Sequence, residues 1–127
     1  MILIVDDSPT DIELTVIALE ATGREITVLS ALDGLSALSM LRAGHELPAP
    51  ILLDIKMPCM DGIEVLHEIR ADDRLRALPV VMVTSSSLES DRLEAITAGA
   101  SDYFQKPLTL DRFSKDLDSI LQCWLPN

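Results

Sequence analysis

Three acids, one alcohol and one lysine in this chain each stand where an apolar run stops. Asp54 closes Ile51-Leu52-Leu53 and precedes Ile55-Lys56-Met57-Pro58. Asp6-Asp7 closes Ile2-Leu3-Ile4-Val5 and precedes Ser8-Pro9. Val80-Val81-Met82-Val83 runs into Thr84, and Tyr103-Phe104-Gln105 into Lys106. An apolar run closed by a polar residue and then a turn former reads as a buried strand that delivers a functional group to a rim. Three carboxylates brought close together repel, so they call for a cation. Oxygen donors with open positions suit Mg²⁺, which keeps waters and binds phosphates. A carboxylate in such a site can attack a phosphoryl group and become an aspartyl phosphate. That transfer is mainly a matter of positioning and charge neutralisation. The Lys106 ammonium and the Thr84 hydroxyl would hold phosphoryl oxygens.

The elements that must position these groups alternate five times. Strands are predicted near 1–6, 25–30, 50–54, 79–84 and 101–105. The first, third and fourth are almost wholly apolar, as in strands covered on both faces. Ile26-Thr27-Val28-Leu29 is weaker and suits an edge. Ser8-Pro9-Thr10-Asp11, Asp61-Gly62-Ile63-Glu64 and Ser86-Ser87-Leu88-Glu89 have the form of helix starts. Gly23, Gly44 and Gly99 fall where helices should stop. Phe113, Leu117, Ile120, Leu121 and Trp124 recur at helical spacing and predict an apolar face on the last helix. Strand–helix alternation implies an α/β fold with a parallel sheet and right-handed crossovers. In the strand order 2-1-3-4-5, ligands sit at the carboxyl ends of strands 1 and 3, where the order reverses. Those strands end in Asp6-Asp7 and Asp54.

The 127 residues fit one domain, with no linker, repeat or output domain expected, and a hydrophobic fraction of 48% is ample for a core. A formal charge of -11, from 10 basic and 21 acidic residues, argues against a general nucleic-acid surface or an anionic membrane as partner. No apolar stretch is long enough to span a bilayer, and the strand at the very start leaves no room for a signal peptide. Cys59 and Cys123 lack metal-type spacing and are read as free thiols. A cytoplasmic domain is the expectation.

Val5-Asp6-Asp7, Leu53-Asp54-Ile55-Lys56-Met57-Pro58-Cys59-Met60-Asp61-Gly62, Val83-Thr84-Ser85 and the stretch 98–107, AGASDYFQKP, resemble the receiver domain of two-component response regulators. Asp54 and Thr84 stand 30 residues apart, and Thr84 and Lys106 stand 22 apart, as the resemblance requires. All four motifs occur in order, and the likeness spans essentially the whole chain. It implies a flavodoxin-like (βα)5 sandwich and a phosphoryl group accepted on Asp54 from a histidine kinase. Asp6, Asp7, Asp54 and the backbone carbonyl of Lys56 would ligate Mg²⁺. Lys106 would pair with the phosphoryl group through a cis Lys106-Pro107 bond. Thr84 would move toward that group and Tyr103 would fill the vacated space. The readout face would be helix 4, strand 5 and helix 5, roughly residues 86–123, which also suits homodimer pairing. The second half, with VTSSSLESD, resembles single-domain regulators that serve bacterial phytochrome kinases. Such a chain is not an enzyme in the ordinary sense, but a phosphoacceptor that catalyses its own phosphorylation and slow dephosphorylation.

Plainer readings compete for several residues. Asp6-Asp7 alone would serve as a helix cap, Lys106 alone as a solvated lysine, and Tyr103 alone as core. Ser86 is expected to cap helix 4. Met57 and Met60 read as packing, since thioethers suit soft metals. His45 and His67 read as surface groups, and Trp124 as core that extends toward a partner surface. Lys56, two residues past Asp54, and Ser86, two past Thr84, lie at positions that vary among relatives and flank the path of hydrolytic water. Lys56 is expected to tune phosphoryl lifetime, and Ser85 to narrow access slightly. A phosphatase of the Asp-nucleophile type needs a second acid at position 56, where this chain has a lysine. A degenerate, non-phosphorylated receiver would have lost an acid or the lysine, and none is missing.

Overall fold

A computed structural model describes residues 1–125. Five strands alternate with five helices: β1 (Ile2–Val5), α1 (Pro9–Glu20), β2 (Val28–Ala31), α2 (Gly34–Ala43), β3 (Ile51–Leu53), α3 (Gly62–Ala71), β4 (Val80–Thr84), α4 (Glu89–Thr97), β5 (Asp102–Gln105) and α5 (Leu110–Trp124). The strands form one parallel sheet in the predicted order β2-β1-β3-β4-β5.

Alternating side chains explain why the three central strands read as continuous apolar runs. Leu3, Val5, Ile51, Leu53, Val80 and Met82 enter one core with Leu38 and Leu41 of α2 and Val65, Leu66 and Ile69 of α3. Ile2, Ile4, Leu52, Val81 and Val83 enter the other, against Ala18 and Leu19 of α1 and the Phe113, Leu117, Ile120, Leu121 stripe of α5. With both faces covered, no position in these strands faces water. Trp124 packs partly against the second core, at the end of the predicted stripe.

β2 begins later than expected, at Val28 rather than near residue 25. It is an edge strand, and its burial is incomplete, so hydropathy marks its bounds weakly. Ser8 and Asp61 cap α1 and α3 through their side chains, as predicted. Ser86 does not cap α4. That helix starts at Glu89 with Leu88 at the N-cap and no side-chain cap bond; the Ser86 hydroxyl donates to Asp91, and its oxygen accepts from the Leu88 amide, ahead of the first helical residue. Gly23 and Gly99 have the positive φ of helix stops, at +77° and +105°. Gly44 caps α2 with an ordinary extended backbone, φ -75°. The Lys106–Pro107 bond is not cis; among the described residues the cis peptide bond is Ala49–Pro50. Lysine's long stem reaches the acids without the cis bond.

Candidate phosphoacceptor site

The ladder itself assembles the site. Val5 pairs with Leu53, so the next residues, Asp6 and Asp54, leave the sheet side by side. The chain continues the ladder one step further, with the Asp54 amide donating to the Val5 carbonyl at 3.0 Å. On the other flank Thr84 pairs with Gln105, and the Lys106 amide donates to the Thr84 carbonyl at 2.7 Å. Parallel strands put all their carboxyl ends on one edge, so five polar groups distant in sequence meet there.

Asp6, Asp7 and Asp54 each offer a carboxylate oxygen, and these oxygens lie within 4.8 Å of one another. Asp6 and Asp54 are buried and Asp7 is exposed. Lys106 reaches back across the strand ends. Its ammonium is 2.6 Å from Asp6 Oδ2, 3.3 Å from Asp11 Oδ2 and 3.9 Å from Asp54 Oδ2. Asp6 is engaged at both oxygens, since the Ser8 amide donates to its Oδ1 at 3.0 Å. Asp54 accepts from the Ile55 amide through Oδ1 at 2.8 Å, which leaves Oδ2 less committed.

Burial raises the Asp54 carboxyl above the ordinary carboxylate range; the Lys106 charge opposes this and the Asp6 charge adds to it. Burial acts on Lys106 in the opposite sense. The hydrogen bond to Asp6 and the charges of Asp54, Asp6 and Asp11 outweigh it, and the ammonium is held above its usual pKa. The lysine is therefore charged and pinned among acids.

A raised acid binds its proton more tightly folded than unfolded. Its contribution to stability then declines as pH climbs from the unfolded value, about 3.9, through the folded one. Asp54→Asn is thus expected to melt higher than the wild type at neutral pH in metal-free buffer. Each kcal/mol relieved corresponds to roughly 4 °C in a domain of this size. The gap should close when the melts are repeated below about pH 4. A lower melting point for the variant at pH 7 would refute the idea that the acids repel at a cost to the fold.

Thr84 is fully buried, and its Oγ1 accepts from the Ser86 amide at 3.2 Å. The Tyr103 ring packs on the first core, and its buried hydroxyl has no hydrogen-bond partner among the described residues. Burial raises the pKa of that phenol. Lys56 stands in the turn after β3 with its side chain exposed and paired to Asp91 at 3.4 Å. His45, His67 and Cys59 are exposed and lie outside the acid cluster.

Two participants escaped the sequence reading. Asp11, in the first turn of α1, contacts Lys106 across 95 positions, and Asp91 holds both Lys56 and Ser86. Neither follows an apolar run. Asp11 does stand in the predicted Ser8-Pro9-Thr10-Asp11 helix start, whose first turn the topology lays over the strand ends.

Residues 2–118 match the response regulator receiver domain family. The chain belongs to that family. It is a receiver domain of two-component signalling. It is 39% identical over 121 residues to chemotaxis protein CheY-3 of Vibrio cholerae, covering 95% of this chain and 91% of that protein. The phosphorylated cyanobacterial phytochrome response regulator RcpA superposes with a TM-score of 0.88 at 32% identity, covering 98% of this chain and 92% of that one. The bacteriophytochrome response regulator AtBRR superposes at 0.78 with 39% identity, covering 94% and 90%. Some relatives are far longer. The chain spans 13% of the sensor histidine kinase CheAY of Helicobacter pylori, at 38% identity over 107 residues. Among the described residues, no helix is long and apolar enough to cross a membrane.

Proposed function

We propose that Asp54 accepts a phosphoryl group from a histidine kinase and that the change is read on the α4–β5–α5 face. The Asp54 oxygen attacks phosphorus, the bond from phosphorus to the kinase histidine nitrogen breaks, and the imidazole keeps the electron pair. The observation that carries this reading is the convergence of three carboxylates with a lysine ammonium 3.9 Å from Asp54 Oδ2.

The donor set fits a hard divalent cation: carboxylate oxygens within one ion's reach, with Asp7 open to solvent. Asp6, Asp7 and Asp54 would hold Mg²⁺, with the Lys56 backbone carbonyl as a further ligand. When bound, Mg²⁺ neutralises charge on the transferred group. Lys106 stays charged and holds a phosphoryl oxygen, and Thr84 donates its hydroxyl to another. The new group brings about -1.5 to -2 charges. Thr84 moves toward it, and Tyr103, whose buried hydroxyl lacks a partner, swings into the space released. Such a change shifts populations of existing states.

The chain is not an enzyme for a separate substrate. Its partners are a sensor histidine kinase, of the bacterial phytochrome class, and a downstream protein. Similarity to RcpA and AtBRR supports the first. Exposed Leu88, Leu93 and Ile96 on or beside α4 support a protein-binding face that also pairs two copies. The cytoplasm is where such a phosphorelay would operate.

The test is incubation with a small acyl phosphate and Mg²⁺. A receiver gains one acid-labile phosphoryl group that turns over slowly. Repeated rapid turnover would indicate a phosphatase, and no uptake a degenerate module.

A further inference from the structure

Asp11 touches Lys106 from the first turn of α1, yet it lies outside the group of acids placed to share a cation. The lysine ammonium has three N–H donors. Its nearer contacts are Asp6 at 2.6 Å and Asp11 at 3.3 Å, and Asp54 is farther, at 3.9 Å. The Asp11 side chain is 43% exposed, against 5% for Asp6 and 8% for Asp54. With Ser85, Lys106, Leu108 and Thr109 it lines a groove of about 380 Å³ beside the lysine. Asp11 is therefore the solvent-side acid on the group that is to receive phosphoryl oxygens. Among the described residues, Lys106 is the only cation paired with it. A divalent ion on Asp6, Asp7 and Asp54 would offset their charges and leave that of Asp11 at the groove.

We propose that Asp11 selects the phosphoryl donor: its charge, set on the lysine that receives the phosphoryl oxygens, disfavours small acyl phosphates and favours donors whose leaving atom is a nitrogen. This rests on the reading of Asp54 as phosphoacceptor. An acyl phosphate brings about two negative charges at neutral pH, and it reaches Lys106 against the charge of Asp11. When the Asp54 oxygen attacks its phosphorus, the phosphorus–oxygen bond breaks and a carboxylate leaves with the electron pair. Asp11 opposes both the arriving dianion and the departing anion. A phosphoramidate reacts with its nitrogen protonated and carries less net negative charge. Its phosphorus–nitrogen bond breaks, the nitrogen keeps the electron pair, and an uncharged amine leaves. A nearby carboxylate favours the protonated nitrogen that this route needs. The histidine nitrogen of a kinase is a leaving atom of the same class. Repulsion of the wrong donor is one way to build such a preference. A hold on Lys106 alone would act on both donors alike, so the ratio of their rates separates the two roles.

Initial rates of uptake by the full chain are measured by intact mass with Mg²⁺, from acetyl phosphate and from phosphoramidate at equal, sub-saturating concentrations. Asp11→Asn is expected to raise the acetyl phosphate rate about fivefold, the size expected for two charges roughly 8 Å from a third in water-like surroundings. The phosphoramidate rate should rise no more than about twofold. Asp11→Glu, which restores the charge, should return the ratio of the two rates to within about twofold of wild type. The wild type supplies a second measurement that needs no variant. Raising the salt from about 0.01 M to about 1 M shortens the Debye length from about 30 Å to about 3 Å. The acetyl phosphate rate should then gain on the phosphoramidate rate, and gain less in Asp11→Asn. An unchanged ratio, or a slower acetyl phosphate rate, in Asp11→Asn overturns the proposal. So does a wild-type ratio that salt leaves unmoved. If the wild type takes up no phosphoryl group from either donor, the phosphoacceptor reading itself falls first, and this one with it.

Discussion

Asp54→Asn is expected to take up no phosphoryl group from an acyl phosphate and Mg²⁺, where the wild type takes up one. The substitution is nearly isosteric and removes the nucleophile, so uptake should fall by at least about two orders of magnitude. Three acids share the cluster, and their surroundings decide which one reacts. Asp6 is spent at both oxygens, on Lys106 at 2.6 Å and on the Ser8 amide at 3.0 Å. Asp7 is exposed and has no ion pair or side-chain hydrogen bond to hold it in one orientation among the described residues. Asp54 is buried and fixed at Oδ1 by the Ile55 amide, with Oδ2 3.9 Å from an ammonium. It is the carboxylate that is both oriented and free to attack. Intact mass before and after incubation reads the result. Retained uptake in the variant would move the acceptor to Asp6 or Asp7.

The sequence carried the fold wherever burial is two-sided. β1, β3 and β4 lie between two helical layers, so their apolar runs are unbroken and their polar ends stand out. Asp6, Asp7, Asp54 and Thr84 are legible for that reason; Lys106 follows β5, an edge strand of mixed burial, and is legible from the Tyr103-Phe104 run and the resemblance; the structure brings all five to one edge. Legibility fell where the environment is mixed. β2, at the edge, has partly exposed Val28 and Leu29, and hydropathy alone puts its start too early. Ser86 has the spacing of a cap, yet its oxygen accepts the Leu88 amide ahead of the helix while its hydroxyl donates to Asp91, an arrangement that no local pattern displays. Asp11 meets Lys106 only because α1 starts over the strand ends. Contacts of this kind belong to topology and cannot be read from periodicity. The Lys106–Pro107 expectation came from resemblance alone, and a reach of four methylenes serves in its place.

A methyl group at position 62 should cost more than any other glycine substitution here, and it should damage the site as well as the fold. Gly62 opens α3, and its amide donates to the Ile55 carbonyl at 2.8 Å. A Cβ there would run into the Asp54 carbonyl oxygen, with the Ile55 Cα 2.9 Å away. Both obstacles are backbone, so no rotamer change relieves them. Overpacking of this kind costs about 1–3 kcal/mol, and the rigid partners place Gly62→Ala at the upper end. A fall in melting temperature of roughly 10 °C follows for a domain of this size. The strand end must shift to make room, and it carries Asp54. Misplacement by about 1 Å can cost a hundredfold in rate, so phosphoryl uptake should drop even at temperatures where the variant is fully folded. Gly23→Ala is the control. Gly23 has φ +77° but nothing within 4 Å of its would-be Cβ, so only backbone strain is incurred, about 1–2 kcal/mol. That variant should lose stability and keep its uptake rate. Equal losses of uptake in the two would mean that Gly62 matters through stability alone, not through its contact with Asp54.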